Sequence, residues 1–154
     1  MLLMALCLQI SVQAQHNTFT LTSDSLKSGQ SLTTYKIFFE LGKAILKPES
    51  NVFLDSLATF LQTHPAIAIE ISVHSDSRVS PNCCNHLTLN RAVCIRDYLL
   101  KKGIAMDRIQ AKGYDEKKLL ISDAEIQKAK TKEEKEALHA KNRRVEIKIV
   151  STGN

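Results

Sequence analysis

Apolar positions along this chain follow two rhythms. Ile67, Ile69, Ile71 and Val73 alternate within AIAIEISVH, the two-residue period of a strand that buries one face. The same period runs through RVEIKIV at 144–150 and IQAKGY at 109–114. It also runs through TTYKIFFEL, where Tyr35, Ile37 and Phe39 share a side. Between TTYKIFFEL and AIAIEISVH the spacing changes. Phe53, Leu57, Phe60 and Leu61 recur at helical intervals behind Pro48, a first-turn residue, and stop before His64-Pro65.

A second helix is expected to begin at Thr88, whose hydroxyl can cap free amides. Leu89, Ala92, Ile95 and Leu99 form its buried stripe, and Lys101, Lys102 and Gly103 supply a stop. Residues 123–140 predict a charged, solvated helix of mixed sign. Strand, helix, strand, helix, strand, helix, strand is the order of an α/β sandwich, with helices packed on one mixed sheet of about four strands. Parallel pairs through right-handed crossovers are expected. Residues 15–33, rich in Ser, Thr, Asn and Gln, read as a lead-in with a short strand near FTLTS.

Composition narrows the picture. With 154 residues and 44% apolar content, one compact domain has material for a core. Trp is absent, so that core rests on Leu, Ile, Val and Phe. No apolar run reaches the roughly 18 residues a membrane span requires. The first fourteen residues, MLLMALCLQISVQA, carry no charge and offer small residues at Val12 and Ala14, which predicts a signal peptide cleaved after Ala14. Leu6 before Cys7 is too bulky for a lipid-anchor site. The net charge of +5 is spread, and its densest block, KAKTKEEKEALHAKNRR, mixes signs without aromatics to stack bases. That describes a solvated surface tolerant of an anionic polymer and argues against nucleic acid.

Candidate chemistry concentrates in HSDSRVSPNCCNHLTLNRA at 74–92. Asp76 follows a strand and Arg91 sits in the first turn of the next helix, where α/β folds collect ligands. An acid and a planar base at one pocket suit a zwitterion, ammonium to carboxylate and carboxylate to guanidinium. The spacing alone favours a plainer pairing of the two with each other. His74 and His86 lack the companions a metal site needs, so a structural role is expected for His74. No hydrolase grouping emerges. Cys83, Cys84 and Cys94 allow one bridge from Cys83 or Cys84 to Cys94, or three reduced thiols.

Ordered motifs then bring in a family. IEISVHSDSR, NHLTLNRAVCIRDYLLKKGI, FFELGKAILKPES, RIQAKGYDE and NRRVEIKIV resemble the OmpA C-terminal (OmpA/MotB) peptidoglycan-binding domain over residues 35–150. The DSR turn and the approach to NRR resemble periplasmic versions from Bacteroidetes-type bacteria. With the N-terminal readings above, the resemblance gives domains at 1–14 (signal), 15–33 (lead-in), 34–150 (OmpA-like) and 151–154 (tail). It implies a non-catalytic module without cofactor or metal. That module would grip the diaminopimelate of peptidoglycan stem peptides and tether the envelope to the wall in the periplasm, with outer-membrane proteins as further partners. By position, Asp76 takes the ammonium and Arg91 the carboxylate. Leu87 and Thr88 match a Leu-Ser pair, Asn85 serves as the loop Asn, and Phe39, Glu40 and Arg143 form pocket walls. A Cys84–Cys94 bridge would brace the loop. The alternative is a docking or scaffold module of the same fold with a degenerate pocket. The sequence departs from the pattern at Ser75 (for Thr), Val79 (for Gly), Cys84 (for Asn) and Asp115 (for Gly).

Overall fold

The computed structural model describes residues 17–78 and 86–153. Residues 1–14, the expected signal peptide, and the loop positions Val79, Cys83, Cys84 and Asn85 lie outside them. The elements are β1 (Ser31–Thr34), α1 (Asn51–Thr63), β2 (Ala68–His74), α2 (Leu87–Lys101), β3 (Ile109–Asp115), α3 (Asp123–Gln127), α4 (Lys132–Asn142) and β4 (Val145–Ser151). The strands form one mixed sheet in the order β1-β4-β2-β3. β2 and β3 are parallel, and β4 runs antiparallel to both β1 and β2. This is the expected α/β sandwich, but of the expected parallel pairs only β2–β3 forms among the described strands, because β4 stands antiparallel between β1 and β2.

The alternating residues fill the core as their period requires. Ile69, Ile71, Ile147 and Ile149 are fully buried, beneath Leu54, Leu57 and Leu61 of α1 and Ala92, Ile95 and Leu99 of α2. Burying each Leu or Ile side chain contributes roughly 1.5–3 kcal/mol. The opposite sheet face is polar: Lys112 pairs with Glu70, and Lys148 faces solvent. The lead-in belongs to the fold as well, since Phe19 is buried with its ring stacked 5.7 Å from Phe60.

Four further expectations are corrected. The first strand lies at Ser31–Thr34 instead of TTYKIFFEL, because side chains intercept the backbone beyond it. Thr34 Oγ1 accepts from Lys36 N at 3.1 Å, and Ser50 Oγ both accepts from Phe38 N at 2.8 Å and donates to Phe38 O at 3.0 Å. Tyr35 is left half-exposed, and Phe39 bridges Leu46 in a hairpin-like turn. In α1 the buried stripe includes Leu54, with Phe53 only partly covered. The second helix starts at Leu87 after His86, whose φ of 69° is left-handed and which makes no side-chain cap. Thr88 therefore sits inside the helix, buried, and Leu89 turns outward. The charged helix is two helices, each opened by a capping box, Ser122 with Glu125 and Thr131 with Glu134.

Candidate functional site

Three chain segments converge at one end of the sheet. The first is the exit of β2. Between Val73 and His74 the β2–β3 register slips, pairing Val73 with Gly113 and His74 with Asp115. Such a bulge turns the strand and re-aims the residues beyond it. Tyr114, the extra residue, stacks on the buried His74 ring at 5.2 Å. His74 Nε2 lies 3.5 Å from Glu146 Oε2, near enough for an ion pair when protonated but without hydrogen-bond geometry.

The second segment is the start of α2, which presses on β3. Thr88 Oγ1 donates to Asp115 Oδ1 at 2.6 Å and accepts from Asp115 N at 3.2 Å. Asp115 has φ 47°, the left-handed region that glycine favours and Asp tolerates. This residue stands at one of the departures from the family pattern, and its carboxylate gains a partner that glycine would lack. The third segment is Asn142-Arg143-Arg144. Asn142 is fully buried, accepting from Leu120 N and Ile121 N. Arg144 is buried too, bound to Glu146 at 2.7 Å. Arg143 between them faces the site.

Asp76 is 3% exposed, and its carboxylate is engaged. Oδ1 accepts from Arg78 N at 3.0 Å, while Oδ2 accepts from Arg78 Nη2 at 2.8 Å and Arg143 Nη1 at 2.5 Å. Both guanidiniums also reach Glu136, at 2.7 Å each. Burial pushes the Asp76 carboxyl up, but the hydrogen bonds from Arg78 and Arg143 override it and hold it at about 2. Those same two guanidiniums hold Glu136 at about 2. Ser77 Oγ ties the loop to Asp123 of α3.

Arg91 comes from the other side. Nε donates to Lys43 O at 3.0 Å, Nη2 lies 3.5 Å from Glu40 O, and the guanidinium sits 4.9 Å from the Phe39 ring centroid. It thus holds the turn that carries Phe39 and Glu40. A hollow of about 410 Å³ opens here, lined by Arg91, Arg143 and Arg144, by Tyr35, Phe38 and Phe39, and by Glu40, Leu41 and His74. Asp76 is not in its wall but lies one hydrogen bond behind Arg143. A larger apolar hollow of about 730 Å³ lies between α1 and the 20–38 stretch, with Lys36 and Glu49 as its charged lining. Its charges do not converge as the guanidiniums do, so the smaller hollow is the better candidate.

Of the residues anticipated from sequence, Arg91, Phe39, Glu40 and Arg143 share this hollow. Thr88 and Leu87 lie outside its wall, Thr88 bound to Asp115. Cys94 Sγ donates to Ala44 O at 2.8 Å; its expected partner Cys84 is outside the described residues. Arg78 and Glu136 were missed. Asp-x-Arg after a strand was a usable signal for Arg78, since an Asp side chain commonly accepts from the amide two residues on.

A sequence profile of the OmpA family matches residues 38–148. The chain belongs to the OmpA family. Outer membrane protein A of Bordetella avium is 35% identical over 118 residues, covering 75% of this chain and 54% of that protein. Outer membrane porin F of Pseudomonas fluorescens is 34% identical over 112 residues, covering 72% and 31%. The chain therefore spans only about a third to a half of these relatives' length. Among solved structures, the cell wall anchor of the type VI secretion system from Pseudomonas aeruginosa matches with TM-score 0.62 and 22% identity, over 94% of both chains. The peptidoglycan-associated lipoprotein of Burkholderia pseudomallei matches with TM-score 0.61 and 18% identity, over 84% of this chain and 99% of that one. Both share the OmpA-like fold. No helix among the described residues is long and apolar enough to cross a membrane.

Proposed function

We propose that this OmpA-family chain binds peptidoglycan without catalysis, gripping the diaminopimelate of the stem peptide and tethering the envelope to the wall from the periplasm. The observation that carries the reading is Arg143. It lines the hollow that Arg91 lines and donates to Asp76, so two guanidiniums border one space and an acid stands one hydrogen bond behind them. An ammonium directed at Asp76 and a carboxylate directed at Arg91 and Arg143 fit that arrangement. Relatives named peptidoglycan-associated lipoprotein, 29% identical over 91 residues in Brucella melitensis, support the ligand class.

Two charge-assisted contacts at roughly 1.5–3 kcal/mol each, with packing on Phe39, correspond to micromolar-class affinity for one site. The wall repeats its ligand, so avidity offsets the weakness of each contact. Calorimetry with purified muropeptides tests the reading. Diaminopimelate muropeptides are expected to bind at least tenfold more tightly than lysine ones, which lack the second carboxylate. Equal affinities would sink it.

A further inference from the structure

An incoming ammonium meets no open carboxylate at the tip of β2. It meets a closed ring of charge. Asp76 holds Arg78 Nη2 and Arg143 Nη1 on one oxygen, and each guanidinium sets a second nitrogen on Glu136. Two cations and two anions leave the ring neutral and the acid saturated. Resting on the peptidoglycan reading, we propose that Arg78 determines affinity and specificity: it is a built-in cation that occupies the ammonium's place on Asp76 and shifts onto Glu136 when ligand binds.

Geometry singles out Arg78 as the partner that leaves. Arg143 lines the hollow and can turn a nitrogen toward the ligand's carboxylate; Arg78 is not part of that wall. The Arg78 side chain is 48% exposed, whereas that of Asp76 is 5% exposed. Its backbone amide holds Asp76 Oδ1 independently of its head group, so the Asp76–Arg78 turn keeps its shape when the head swings away. Glu136 Oε2 already holds Nη1 at 2.7 Å, so departure costs one charge-assisted contact without stranding a charge.

The consequence is selectivity by exchange. A ligand with an ammonium replaces Arg78 like for like on Asp76. A ligand with only a carboxylate has nothing to offer Asp76 and binds the closed ring through Arg91 and Arg143 alone. Arg78 therefore weakens every zwitterion by the strength of its own contact and leaves plain carboxylates unaffected.

The two ring members also act with opposite sign, which a merely structural role would not produce. Calorimetry on the full chain can use a diaminopimelate muropeptide and the same compound with its free amine acetylated. Arg78→Gln is expected to bind the free-amine form about tenfold more tightly than wild type, equivalent to about 1.4 kcal/mol, and the acetylated form equally. Glu136→Gln, which removes the resting place and leaves Arg78 on Asp76, is expected to bind the free-amine form severalfold more weakly. Arg78→Lys, retaining charge but not the fork, should fall between Arg78→Gln and wild type, and it stands in should the glutamine variant fail to fold.

Unchanged or weaker binding by both Arg78 variants, with wild type still binding, overturns the exchange and leaves the peptidoglycan reading intact. Binding by an Arg78 variant alone supports the exchange directly. Absence of binding by wild type and both variants overturns both.

Discussion

Thr88 and Asp115 exchange two hydrogen bonds across the junction of α2 and β3, one at 2.6 Å to the carboxylate and one at 3.2 Å from the amide. The hydroxyl is buried and serves as donor and acceptor at once. Thr88→Val keeps the shape but strands a carboxylate and an N–H. The expected cost is about 1–3 kcal/mol, read by denaturant unfolding, while Thr88→Ser should restore most of it. Equal stability of Val and Thr variants would refute this account of the junction.

Gly113 sits where that helix comes closest. A β-carbon there would stand 2.2 Å from Leu89 N and 2.7 Å from Leu89 Cα. Both are backbone atoms, so the helix start itself must move. Gly113→Ala is expected to destabilise by about 3 kcal/mol, as overpacked cores do, and to weaken retention on sacculi because Arg91 rides on the same helix. Stability within about 1 kcal/mol of wild type would show that the junction yields more easily than its geometry implies.

Asp76 gives the fold an acid limit. Its carboxyl lies at about 2 in the folded chain, below the 3.8 of an ordinary aspartate. A depressed value contributes stability above the unfolded value and loses it as pH falls through the folded one. Stability should hold near neutrality and decline between about pH 4.5 and pH 2. This single group contributes on the order of 2 kcal/mol. Thermal melts of Asp76→Asn across that window should show a shallower decline; a parallel decline would assign the acid limit elsewhere.

Arg91 has a structural task as well as a proposed binding one, since it holds carbonyls of the 40–43 turn and lies over Phe39. Arg91→Lys retains the charge but loses the fork and the stacking. Retention on sacculi is expected to fall at least tenfold, with global stability lowered by about 1 kcal/mol. A loss of several kcal/mol in unfolding without altered retention would make Arg91 a scaffold residue alone.

The sequence disclosed what depends on local period. The Ile67–Val73 alternation placed β2 and its buried face because a two-residue repeat permits one inward side. It misplaced β1, since Thr34 and Ser50 capture amides that strand composition alone assigns to a neighbour. It merged α3 and α4 although Ser122-x-x-Glu125 and Thr131-x-x-Glu134 were present as paired caps. At the candidate site, the family resemblance and not the spacing alone singled out Asp76, Arg91 and Arg143; the last two line the hollow, with Asp76 behind Arg143. The tie between Arg78 and Glu136, 58 positions apart, had no local signature, for a charged helix surface looks the same whether its acids face water or another segment.

Because β4 lies between β1 and β2, the sheet's interior waits for the last of the four described strands to become available. Until residues 145–151 dock, β1 has no sheet partner to zip against, and β2 can join only β3. Arg143, which links Asp76 to the hollow, arrives just ahead of that strand. A chain of this order keeps an open seam until β4 docks, and its candidate ligand site is assembled only then.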